Sequence, residues 1–264
     1  MARKRETPPS PSPREEVVRL AKELDLTALA AAAYEVIAKA EEERVAFAEL
    51  ARRLLETETK ARRKRGQDRR LKRSRLGSVL GLDGFDFSLR PKLDERVVRG
   101  FLDAEWARVK RNLLLMGPPG LGKTRIAKAL VHAAILDGST ALAVTLAETL
   151  EDLQASLADG SFRRRLRRYV KPGVLFWDEF GYETIDSEGS SILFRVVSER
   201  HEKGSIVLTA NCGFSKWKSF FPSEAHAVAT VDRLVDRASI LRFTGKSGRG
   251  PKEILGAPLD GDQE

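Results

Sequence analysis

The chain is poor in several residues on which small secreted domains and metalloproteins depend. Among its 264 residues there is one cysteine, Cys212, which excludes a disulfide framework and a cysteine-based zinc site. The three histidines, His132, His201 and His226, are scattered and lack metal-ligand spacing. No apolar run is long enough to span a bilayer, so a membrane protein of the helical kind is not expected. The opening residues, rich in Pro, Ser and charge, lack the apolar stretch of a secretory signal, and a reducing cytoplasm is the expected setting. Proline is missing altogether between Pro13 and Pro91, which leaves that stretch open to long helices.

Positive charge is abundant. Lys and Arg number 47 against 38 acids, for a net charge of +9 and a pI near 9.8. Such a balance favours acidic partners, nucleic acid first. The charge is concentrated. Between Lys60 and Arg75 stand ten Lys or Arg against one acid, Asp68, and a second cluster occupies Arg163, Arg164, Arg165, Arg167 and Arg168.

The hydrophobic pattern divides the chain. Residues 1–14 read as a disordered tail. From 15 to 90 apolar residues recur at helical spacing (Val17, Leu20, Leu24; Leu29, Ala33, Val36, Ile37; Leu50, Leu54). This predicts a small all-α N-terminal domain that contains the basic tract and ends in a linker around Gly77, Gly81 and Gly84. A boundary is placed near residue 90. From 91 to 245 short apolar strands at Asn112–Met116, Ala141–Thr145, Val174–Asp178, Ile206–Thr209 and Ile240–Phe243 alternate with helices. That alternation predicts an α/β domain with a parallel sheet sandwiched by helices. Residues 246–264, rich in Gly and Pro, read as a flexible tail too short for a C-terminal lid domain.

Within the second domain, Gly117-Pro118-Pro119-Gly120-Leu121-Gly122-Lys123-Thr124 fits G-x-x-x-x-G-K-[ST] in full, between an apolar strand and a helix. Glycines let the backbone wrap around phosphates with its N–H groups inward, and the following helix aims its positive end at them. Lys123 can reach the β- and γ-phosphates of ATP, and the Thr124 hydroxyl can ligate Mg²⁺. The run Val174-Leu175-Phe176-Trp177-Asp178-Glu179 delivers two carboxylates to a strand end, where ligands sit in open α/β sheets. Asp178 is expected to hold Mg²⁺ and Glu179 to orient or deprotonate the attacking water. Asn211 closes the next strand, either as a turn former or as an amide that positions that water.

Taken together, these motifs resemble an AAA+ ATPase. The stretches Asp86–Arg96, Asn112–Thr124, Val174–Tyr182, Leu193–Trp217 and Asp232–Leu234 closely resemble the IstB family, ATP-dependent helpers of insertion-sequence transposases related to DnaC-type helicase loaders. The resemblance covers roughly residues 20–249 and implies an AAA+ P-loop sheet behind a helical N-terminal domain. It implies that Asn211 is the sensor residue. Arg233 would reach across a subunit interface as an arginine finger, with Arg237 a second candidate, so that activity requires a homo-oligomer. Where the family usually has Ser-Tyr-Arg, this chain has Ser247-Gly248-Arg249, a departure that leaves Arg249 without an assigned role.

The function expected is an ATP-dependent, DNA-binding helper that oligomerises on duplex target DNA and recruits or stimulates a transposase; the alternative is a DnaC-like loader of a replicative helicase. Arg62, Arg63, Lys64, Arg65, Arg69, Arg70, Lys72 and Arg73, with the Arg163–Arg168 cluster, are the expected DNA contacts. They would act by neutralising phosphates without reading sequence.

Overall fold

The computed structural model describes residues 11–181 and 184–245. They fall into two compact units, divided between Arg69 and Arg70. The tail and C-terminal expectations for residues 1–10 and 246–264, the missing lid and Arg249 among them, lie outside the described residues.

The first unit is helical. Helix α1 (Pro13–Glu23) starts where Ser12 and Glu15 form a reciprocal capping box and Pro13 pre-sets the first turn. Helix α2 (Thr27–Glu42) has Leu26 at its N-cap and receives no bond from that side chain. Glu58 of helix α3 (Phe47–Ser74) takes over that role: its carboxylate accepts from the Ala28 and Leu29 amides at 2.8 and 3.1 Å. Ala21, Leu29, Ala33 and Ile37 form a small core, with Leu50 and Leu54 of α3 packed against it.

The second unit begins inside α3, some twenty residues before the expected boundary. The reason lies in the supposed linker. Leu76, Leu82 and Leu93 are buried in the second unit's core, and Phe85 and Phe87, edge to face with each other at 4.7 Å, pack against it. The glycines of this stretch turn the chain so that its apolar residues stay in contact with the core.

Helices α4 (Glu95–Gly100) and α5 (Glu105–Arg108) lead into strand β1 (Asn112–Met116), and the rest alternates: α6 (Lys123–Asp137), β2 (Ala141–Thr145), α7 (Leu146–Ala158), α8 (Phe162–Val170), β3 (Val174–Phe180), α9 (Ser187–Arg200), β4 (Ser205–Ala210), α10 (Glu224–Val235) and β5 (Ala238–Arg242). A 3-10 helix over Phe214–Phe220 joins β4 to α10. All pairings are parallel, in the order β2-β3-β4-β1-β5. Alternate residues of each strand enter opposite cores. Leu113, Leu115, Phe176 and Val207 face one side; Leu114, Met116, Trp177 and Leu208 face the other. This is the α/β AAA+ fold. Its strand order sets β4 between β1 and β3, so the end of β4 lies between the loop after β1 and the acids at the end of β3.

Buried Arg200 ties one edge of this unit together. Its guanidinium donates to the carbonyls of Tyr169, Val170, Pro172, Gly173 and Ser205, between 2.7 and 3.3 Å. Burial pushes it down to about 9, still high enough to remain charged at neutral pH.

Candidate nucleotide site

The loop after β1 has the backbone that its glycines predict. Gly117, Gly120 and Gly122 have φ of 149°, 78° and 86°. Two of them are also places of close approach. A Cβ on Gly117 would lie 2.2 Å from the Phe243 carbonyl oxygen, and one on Gly122 would lie 2.5 Å from the Phe85 ring. Gly122 caps α6, so the first amides of that helix open toward the loop. Pro118 and Pro119 are exposed on the outer turn, and Leu121 is buried as its anchor. Lys123 is almost wholly buried and its Nζ donates to the Pro118 carbonyl at 2.7 Å.

The acids sit at the end of β3, which runs two residues beyond the expected Asp178. Regular pairing with β4 stops at Trp177 and resumes at Phe180, leaving Asp178 and Glu179 on a bulge. Glu179 takes a left-handed backbone, φ 59°, and is exposed; Asp178 is half-buried. The Thr124 hydroxyl donates to Asp178 Oδ1 at 2.9 Å, so loop and acids are in direct contact. One hydroxyl and one carboxylate are hard oxygen donors suited to Mg²⁺. Among the described residues no group of three or more His, Cys, Asp or Glu could hold a metal. The pair therefore fits an ion that takes its remaining ligands from nucleotide phosphates and water.

A cleft of about 780 Å³ joins these parts, and Lys123, Thr124, Glu179 and Asn211 all line it. Its further wall is formed by residues read from sequence as linker: Leu80, Phe85, Asp86, Leu89 and Arg90. Two arginines fasten this wall. Arg90 donates from Nε to the Leu121 carbonyl at 2.9 Å, and Arg125 donates to the Gly81 and Asp83 carbonyls while lying over the Phe85 ring at 5.6 Å. The signal present in the sequence is two phenylalanines and two leucines among glycines, more apolar than a solvated linker requires.

The remaining candidates are spread over the fold. Arg233, on α10, does not line the cleft; its guanidinium lies over the Phe194 ring at 4.6 Å and donates to the Ala229 carbonyl. Arg237 pairs with Glu202 at 3.2 Å. In the first unit Arg62 and Arg65 are held by Glu58, each at 2.8 Å, while Arg63, Lys64 and Arg69 are exposed. In the second, Arg70 donates to the Ile135 carbonyl, and Lys72 and Arg73 are exposed. On α8, Arg165 is bound to Asp152 and Asp159 at 2.9 and 3.1 Å, and Arg168 approaches Asp152 at 3.8 Å. Tyr169 donates to the same Asp152; burial first, then that bond, pushes its hydroxyl up. Arg163, Arg164 and Arg167 remain exposed.

Comparison with known proteins agrees with this architecture. The family profile described as IstB-like ATP binding protein matches residues 19–254. A relative from Pseudomonas aeruginosa, named for ATP binding in insertion sequence IS21, is 36% identical over 195 residues, 74% of each chain. Another from Geobacillus stearothermophilus, named likewise for IS5376, is 33% identical over 219 residues, 83% of this chain and 87% of its own. Among solved structures, DnaI superposes with a TM-score of 0.53 at 21% identity, over 64% of this chain and 92% of that one, a likeness of fold.

Proposed function

Since the chain belongs to the IstB-like ATP binding protein family, we propose that it is a Mg²⁺-dependent ATPase that assembles on duplex DNA and assists the transposase of an insertion sequence. The observation that carries this reading is the meeting of Lys123, Thr124, Glu179 and Asn211 around one cleft, with Thr124 bonded directly to Asp178 beneath it.

In this reading the loop amides and Lys123 bind the β- and γ-phosphates, and nucleotide displaces Lys123 from the Pro118 carbonyl. Thr124 and Asp178 hold Mg²⁺, which would neutralise charge on the phosphates. Glu179 and Asn211 orient the attacking water. Arg233, which lies outside the lining of its own cleft, would serve the neighbouring subunit's site. Hydrolysis would then depend on a homo-oligomer. The names of the relatives support a partner encoded by an insertion sequence. Exposed Arg63, Lys64, Arg69, Lys72 and Arg73, with Arg163, Arg164 and Arg167, would meet DNA phosphates. Pinned Arg62, Arg65, Arg70, Arg165 and Arg168 would contribute less. Among the described residues no helix is long and apolar enough to cross a membrane.

The test is ATP turnover with Mg²⁺, with and without duplex DNA. The parent hydrolyses ATP; Glu179→Gln binds it without turnover; Lys123→Ala does neither. Turnover by Lys123→Ala at the parent rate refutes the reading. A pull-down that recovered a replicative helicase and no transposase would instead favour a loader of the DnaC kind.

A further inference from the structure

We infer that Thr209 is a positioning residue for hydrolysis, joining the metal-binding acid to the water-directing acid through one hydroxyl. The inference rests on the proposed ATPase reading and adds to it a residue to which the sequence motifs give no role.

Thr209 is almost wholly buried near the end of β4, the strand that the topology inserts between β1 and β3. Its Oγ1 lies 3.1 Å from the amide nitrogen of Glu179 and 2.5 Å from Asp178 Oδ1. The direction of both bonds follows from chemistry. An amide N–H can only donate, so the hydroxyl accepts from Glu179 and spends its single proton on Asp178. Asp178 Oδ1 also accepts from Thr124. An unbroken chain therefore runs Thr124, Asp178, Thr209, Glu179, from the phosphate loop to the exposed acid.

The ladder between β3 and β4 supplies none of this support. Toward β4, register pairs Trp177 with Leu208 and Phe180 with Ala210, so the two acids lie outside that ladder, while Asp178 stays in register with Thr145 of β2 on the other side. Glu179 is also held at a positive φ, which strains a non-glycine residue. The Thr209 hydroxyl stands in for the missing ladder bond and holds the turn, while its other bond fixes the carboxylate rotamer of Asp178. Asn211, just past the end of β4, lines the same cleft as Thr209 and Glu179.

Thr209→Val keeps the shape and removes only the hydroxyl; Thr209→Ser keeps the hydroxyl and removes a methyl group. The protein is assayed in full length, with a fluorescent ATP analogue for binding and ATP for turnover. For Thr209→Val the expected result is unchanged analogue affinity in EDTA, loss of most of the gain in affinity that Mg²⁺ gives the parent, and kcat lower by about 10–100-fold with KM little changed. Thr209→Ser should restore both properties to near the parent level. A Thr209→Val protein with parent kcat and parent Mg²⁺ response overturns the inference, and so does a Ser variant as defective as the Val variant, which would make the role one of packing. If the parent itself does not hydrolyse ATP, the ATPase reading fails, and the Mg²⁺ response of analogue binding still decides whether Thr209 acts on Asp178.

Discussion

Replacing Arg200 with methionine should cost the second unit much of its stability. The perturbation removes five hydrogen bonds from a buried cation while nearly keeping its volume. A buried acceptor left without a donor costs about 1–3 kcal/mol, so five carbonyls set an upper bound of roughly 5–15 kcal/mol. Two effects reduce that figure. The Gly173 carbonyl keeps the Ser205 amide as a donor at 2.9 Å, and methionine no longer requires a guanidinium to be stripped of water. With both reductions the net loss is expected at about 3–5 kcal/mol, at or below the lower end of that bound. At about 2–4 °C per kcal/mol for a domain of this size, the melting temperature should fall by about 6–20 °C. Circular dichroism melts of parent and variant measure this directly. Lysine should not rescue, because a compact ammonium with three donors cannot span five carbonyls. A methionine variant melting within about 2 °C of the parent would refute the reasoning, since that shift corresponds to about 1 kcal/mol or less.

Gly122→Ala should abolish nucleotide binding while the protein stays folded, because φ of 86° and a Cβ 2.5 Å from the Phe85 ring cannot both be accommodated; isothermal titration with ATP checks it. Glu58→Gln should lower the melting temperature near neutral pH. Burial raises the Glu58 carboxyl, but bonds from Arg62 and from the Leu29 and Ala28 amides outweigh it and hold the group down to about 2. Its contribution is therefore present above the ordinary glutamate range and is lost as pH falls toward 2, so parent and variant melts should converge on acidification. Charge reversal of Arg63, Lys64, Arg69 and Arg73 together should flatten the salt dependence of duplex-DNA binding by up to about 0.9 for each phosphate no longer neutralised. The same change at Arg62 and Arg65 should act mainly on stability; equal salt slopes for the two sets would argue against this division.

The stretch Leu193–Trp217, one of those that resemble the IstB family, combines a pattern readable in sequence with roles that only the fold shows. It is legible as a signature, yet the fold reveals its residues as fixtures: Arg200 holds carbonyls, and Trp217 is buried against Phe180 at 4.6 Å. The segment 76–93 shows the reverse. Its glycines suggest a linker, and only packing against α6 and the phosphate loop makes it a wall of the cleft.

What the sequence determined by itself is what local spacing encodes: five strands by their apolar runs, the phosphate loop by its glycines, and the two acids by the strand that carries them. Each depends on residues adjacent in the chain, so no distant contact has to be known. Only the tertiary structure decided that β4 lies between β1 and β3, that Thr209 bridges Asp178 and Glu179, that Arg90 supports Leu121, and that Arg62 and Arg65 are held by Glu58. These depend on groups brought together from far apart in the chain by the burial of apolar faces. Polar side chains then satisfy whatever donors and acceptors that burial leaves beside them.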